Sequence, residues 1–129
     1  MKKRAALILV LGLCLCFSLS AQKPADLVGT WVGTATLEGE AETNDLTLVL
    51  ELKDGVLAGH MSDQFGSMVE TPIEEVKLEK DVFTFSMSID AGGMTMSITF
   101  EMKVEGSTMK GTLEVPDMGA SGTWEATKQ

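Results

Sequence analysis

Residues 94–104 read MTMSITFEMKV, and they alternate without error. Met94, Met96, Ile98, Phe100, Met102 and Val104 fall on one face, and Thr95, Ser97, Thr99, Glu101 and Lys103 on the other. A period of two held over eleven residues is a β-strand with one dry and one wet face. The stretch just before it, VFTFSMSID, repeats the signal with Phe83, Phe85, Met87 and Ile89 inward. LTLVLELK does the same with Leu46, Leu48, Leu50 and Leu52. Shorter runs carry Leu57 and Met61, then Ile73 followed after a bulge by Val76 and Leu78, then Met109, Leu113 and Val115. Convincing helical periodicity is absent.

The connections between these runs have hairpin chemistry. Asp54-Gly55 separates two strands by two residues and suits a type I′ turn, which needs positive φ at both positions. Lys80-Asp81, Ala91-Gly92-Gly93, Glu105-Gly106 and Pro116–Gly119 mark further reversals. Short links imply antiparallel neighbours, so the spacing predicts an eight-stranded meander. Its strands lie near 27–37, 45–53, 56–62, 72–79, 82–90, 94–105, 108–115 and 121–128. An apolar face on every strand predicts closure into a single up-and-down β-barrel, all-β and filled from inside, because closure removes the exposed edges. A membrane barrel, with its apolar face toward lipid and aromatic girdles, does not fit a chain that lacks tyrosine.

The first twenty-one residues stand apart. Lys2, Lys3 and Arg4 precede an apolar run from Ala5 to Phe17, and SLSAQ offers small residues for cleavage near Ala21. This is the pattern of a secretory signal peptide, with a run too short to cross a bilayer. Cys14 and Cys16 follow leucines rather than the small residues a lipobox requires, so no lipid anchor is expected. The expectation is an exported protein, periplasmic or secreted, with a single barrel domain at 22–129.

Cleavage there leaves about 108 residues with no cysteine and no arginine, and a net charge of about −12. Disulfides and thiolate metal sites are therefore excluded from the barrel. An acidic surface repels nucleic acid and anionic membrane. His60, beside inward Met61, falls on the outer face by parity. Neither Glu74-Glu75 nor Glu38-x-Glu40-x-Glu42 has the spacing of a known calcium loop or glycosidase pair. No enzyme is expected, and no cofactor. Eight methionines follow Met1. Met87, Met94, Met96 and Met102 on one face admit a soft-metal reading, but thioethers also fill irregular gaps in a core poor in aromatics, which is the plainer reading.

Gly-Thr-Trp occurs twice, at Gly29–Trp31 and Gly122–Trp124, and carries the chain's two tryptophans. In an even-stranded closed meander the first and last strands must pair. Placing Gly29 opposite Trp124 and Trp31 opposite Gly122 would let each indole cover the other strand's glycine.

Gly29-Thr30-Trp31 resembles the Gly-x-Trp signature of the lipocalin and calycin group. Together with Asp54–Gly59, Gly92–Met96 and Gly106–Glu114, it makes the chain similar to a family of small lipocalin-like β domains exported by bacteria, most without assigned function. The resemblance implies a barrel that carries a small apolar molecule. Lipocalins also place a late arginine on the first-strand tryptophan, and fatty-acid-binding proteins hold a carboxylate with interior Arg and Tyr; neither residue type is present here after the first twenty-one. A buried carboxylate without a cation is costly, so the expected ligand is neutral and apolar. The expected lining of the barrel interior is Trp31, Leu48, Leu50, Phe85, Met87, Met96, Ile98 and Phe100, with no charged group inside. A periplasmic accessory module is the other form of this expectation; the alternative is a structural or interaction barrel with a filled core, acting through its outer surface or acidic loops on a carbohydrate or a protein partner that the residues do not name.

Overall fold

The computed structural model describes residues 22–129; the signal-peptide reading lies outside them. Nine antiparallel strands form one sheet: β1 (Gly29–Leu37), β2 (Thr43–Lys53), β3 (Val56–Asp63), β4 (Thr71–Pro72), β5 (Glu74–Glu79), β6 (Val82–Ala91), β7 (Met94–Glu105), β8 (Thr108–Val115) and β9 (Ala120–Lys128). Their order is β4-β3-β2-β1-β9-β8-β7-β6-β5, a meander rolled into a nearly closed barrel. Two 3₁₀ turns, Pro24–Leu27 and Pro116–Met118, complete the described chain.

Nine strands replace the expected eight because the fourth divides. Thr71-Pro72 pairs with β3, then the chain crosses at Ile73, and Glu74–Glu79 pairs with β6. Proline lacks the N–H a continuous ladder needs. Glu75, at φ 49°, forms the bulge that resets the register. Ile73 N donates to Gly59 O at 3.0 Å, so the two sheet edges are consecutive pieces of one segment. Closure thus passes through a bent strand.

β1 and β9 pair as a closed meander requires, but in a different register from the expected one. Trp31 faces Lys128, Gly33 faces Ala126, Ala35 faces Trp124 and Leu37 faces Gly122. Trp31 therefore sits six residues further along β9 than the reciprocal glycine–indole pairing would place it. The last register in a barrel absorbs the stagger accumulated over all strands, and local complementarity between two of them does not set it. The shift is even, so every inward side chain stays inward. Gly33 and Gly122 serve close backbone approach instead: a β-carbon on either would overlap the Glu125 or Thr36 carbonyl oxygen.

The inward rows fill the barrel with one core that holds both tryptophans. Phe85 stacks on Phe100 with centroids 4.7 Å apart, and Phe100 meets Trp124 edge-on at 5.8 Å. Two inward expectations fail, both at strand ends: Leu52 and Met94 are exposed. Met96, like Ile73, Val76, Leu78 and Ile89, is half-buried and packs against the core. Met94 thus stands apart from buried Met87 and Met102.

Candidate functional site

In a meander alternate connections share an end, so the barrel has two chemically distinct ends. Asp54-Gly55, Lys80-Asp81 and Gly106-Ser107 turn at one end. Asp54 and Gly55, at φ 53° and 80°, have the two positive φ values of the expected type I′ turn. The Pro24–Leu27 turn crosses this end, with Gln22 N donating to Lys80 O at 3.1 Å. Leu27 is fully buried, and its carbonyl accepts from Trp31 Nε1 at 2.9 Å. Lys128 Nζ lies 5.9 Å from the Trp31 ring centroid and donates to Asp26 O at 2.9 Å. A cation does cover the first-strand tryptophan, then, but it is a lysine. This end is closed.

The opposite end carries the longer connections, 38–42 and 64–70, with the reversals at 92–93 and 116–119. A cavity of about 220 Å³ opens there. Its apolar lining comes from β1 (Ala35, Leu37), β2 (Leu46), β7 (Ile98, Phe100) and β8 (Leu113, Val115), with Phe65 and Met68 from the connection between β3 and β4. Glu40, Glu42, Thr43 and Asn44 supply its polar lining.

Asp63 holds the 64–70 connection in place. Its carboxylate accepts from Met68 N at 2.9 Å, from Asn44 Nδ2 at 3.1 Å and from Ser67 Oγ. Burial works to raise its pKa, but these hydrogen bonds outweigh that and hold the carboxyl below its usual value. Gln64 clamps the same connection to β2, through its side chain to Asp45 N at 2.7 Å and its amide to Asp45 O at 3.1 Å. Met68 is thereby buried as a stopper, while Phe65 and Val69 stay exposed. Asn44 is fixed by its donation to Asp63, and its Oδ1 is buried without a hydrogen-bond partner.

Of the eight residues expected to line the interior, Ile98 and Phe100 line this cavity. Trp31, Leu48, Leu50, Phe85 and Met87 are fully buried in the core beneath it, and Met96 packs half-buried against that core. Phe100 belongs to both regions. The sequence reading missed the contributions of Leu37, Leu46, Met68, Phe65 and Asn44. A visible signal existed for one of them: Met68 is an apolar residue in a long connection, where full solvent exposure would be unfavourable, and it is buried.

Carboxylates gather at the open end. Glu38, Glu40, Glu42 and Asp45 surround the first connection, and Asp63 and Glu70 bound the second. Asp90 stands at the third, Glu114 and Asp117 at the fourth, and none of these four segments contains lysine. At the closed end the signs mix, as in Lys23 and Asp26, Lys53 and Asp54, or Lys80 and Asp81.

His60 lies on β3 away from the cavity lining, its Nε2 4.0 Å from Glu70. No group of three or more potential metal-ligating His, Cys, Asp or Glu side chains occurs among the described residues. No described helix is long and apolar enough to cross a membrane. A shallow depression lies on the outer face of β1, β9 and β8, lined largely by threonines such as Thr34, Thr36, Thr112 and Thr123. Fold and site together define an antiparallel β-barrel, nearly closed, with an apolar cavity at one mouth. No family model, curated protein or solved structure matches the chain.

Proposed function

We propose that the protein is an exported, lipocalin-like binding barrel that takes up the apolar body of a small molecule at its open mouth. The observation that carries this reading is the mouth cavity itself, apolar on most of its lining and bounded by a connection that Asp63 and Gln64 pin in place. Pinned walls reduce the ordering cost of binding. The size suits one ring, since an apolar cavity of roughly 150 Å³ accepts benzene. Binding rather than catalysis is further supported by His60, the chain's one histidine, standing outside the lining.

Toluene tests this directly. Titrated into the purified protein, it should give saturable methyl chemical-shift changes at Leu37, Ile98, Leu113 and Val115 and leave Leu27 and Leu57 unmoved. Shifts that do not saturate, or that are spread evenly over the core, would reject the mouth as a binding site. The outer threonine-lined depression favours a second reading, a barrel that engages a partner through its outer surface. Toluene shifts absent from the mouth would direct attention there.

A further inference from the structure

We infer that the ligand of the mouth cavity is a small organic cation, a protonated amine whose apolar body enters the cavity while its ammonium stays at the rim. The inference rests on the proposed binding function and adds the sign of the ligand's charge. Three independent features carry it. The cavity accepts an apolar group about one ring in size. Asn44, one of its lining residues, keeps Oδ1 buried with no donor. That oxygen cannot exchange places with Nδ2, because Nδ2 already donates to the Asp63 carboxylate. The oxygen is shielded where it stands, so a ligand reaches it only by shifting the Asn44 side chain, and then an N–H or O–H can supply the missing donor while a carboxylate cannot.

The rim supplies the third feature. Glu40 and Glu42 border the cavity, and the four connections at this end carry or adjoin carboxylates with no lysine in any of them. Individual exposed carboxylates interact weakly, but a ring of one sign around a low-dielectric opening raises the local concentration of cations and repels anions. An ammonium at the rim keeps much of its hydration, so it gains attraction without the cost of burial. Phe65, Val69, Met94 and Met118, all exposed, stand on connections or strand ends at this same end and offer apolar surface to a ligand longer than the cavity. An anionic lipid surface would meet repulsion from the same carboxylates.

Three near-isosteric probes decide the sign: benzylammonium, benzyl alcohol and benzoate, each titrated into the purified protein by calorimetry. Benzylammonium should bind about 10-fold tighter than benzyl alcohol at low salt, with benzoate weakest. The advantage should shrink from roughly 0.01 M to 1 M salt, as the screening length falls from about 30 Å to 3 Å. In a Glu40→Gln, Glu42→Gln double variant the benzylammonium and benzyl alcohol affinities should converge, the ratio of the two probes in the same protein being the readout. If toluene and benzyl alcohol bind but benzylammonium is no tighter, the cation inference is wrong and the apolar-binding function stands. If no probe binds, both fall. An advantage that persists in the double variant would overturn the assignment of the ammonium to this rim.

Discussion

The two ends of the barrel are built from the same kind of strand, yet they solve opposite problems. At the closed end the reversals at Asp54-Gly55 and Lys80-Asp81 take two residues each, and the Pro24–Leu27 turn lies across the opening with Leu27 buried. Trp31 hangs from the Leu27 carbonyl, and Lys128 covers the ring. At the open end two connections, 38–42 and 64–70, are longer, the carboxylates have no lysine among them, and four large apolar side chains are 59–71 % exposed. One end spends its residues on packing. The other keeps a cavity and holds its loop through the side chains of Asp63 and Gln64. Loops positioned by a rigid scaffold are where binding residues concentrate, and here rigidity and access lie at opposite ends.

Substitutions can break that contrast in order of expected effect. Trp31→Ala removes a fully buried indole and its hydrogen bond to Leu27. It should cost about 3–5 kcal/mol, read as a lower urea midpoint. A cost below about 1 kcal/mol would mean that the closed end is not the anchor of the fold.

Asp63→Ala releases three hydrogen bonds at the open end. A loss of about 1–2 kcal/mol is expected, with faster amide exchange at Met68 and little change at Leu27. The wild-type loop should also respond to acid. The Asp63 pKa is lower folded than unfolded. Its carboxylate therefore stabilises the fold above the unfolded value of about 4, and that contribution is lost as pH falls through the lower folded value. Met68 amide protection should decline in that acid range and be insensitive to it in Asp63→Ala. Protection that falls identically in both proteins would assign the acid response elsewhere.

Lys128→Met keeps the apolar stem and removes the charge over Trp31. A change of about 0.5–1 kcal/mol is expected, with a shift in Trp31 fluorescence that Trp124 does not share. No spectral change would mean that the cation–ring contact is not formed in solution. Gly122→Val also separates the two seam registers. In the observed pairing the new side chain collides with the Thr36 and Leu37 backbone and leaves Trp31 alone.

Much of the barrel is legible in the sequence alone. Side-chain direction in a strand depends only on position, so the alternation from Ile98 to Val104 and the leucine row from Leu46 to Leu50 assigned their faces correctly. Turn chemistry is equally local: Asp54-Gly55 needs no tertiary help to reverse the chain. The cavity was legible only in part, through Ile98 and Phe100. The charge asymmetry was present in the sequence but hidden by its order, because segments at the same end of a meander are separated by two strands in the chain. Summing charge over alternate connections recovers it, and that step needs the topology first.

The sequence by itself determined what neighbours along the chain can decide: which residues face inward, where hairpins turn, and that every strand has an apolar side to bury. The tertiary structure alone decided how those strands meet around the circumference. The β1–β9 register, the division of the fourth strand at Ile73 and the seating of Lys128 over Trp31 all follow from closing a staggered sheet on itself. Closure is a constraint on the sum of all strand offsets. No pair of strands contains that sum, and so the Gly-Thr-Trp repeat could specify the faces of the seam but not its register.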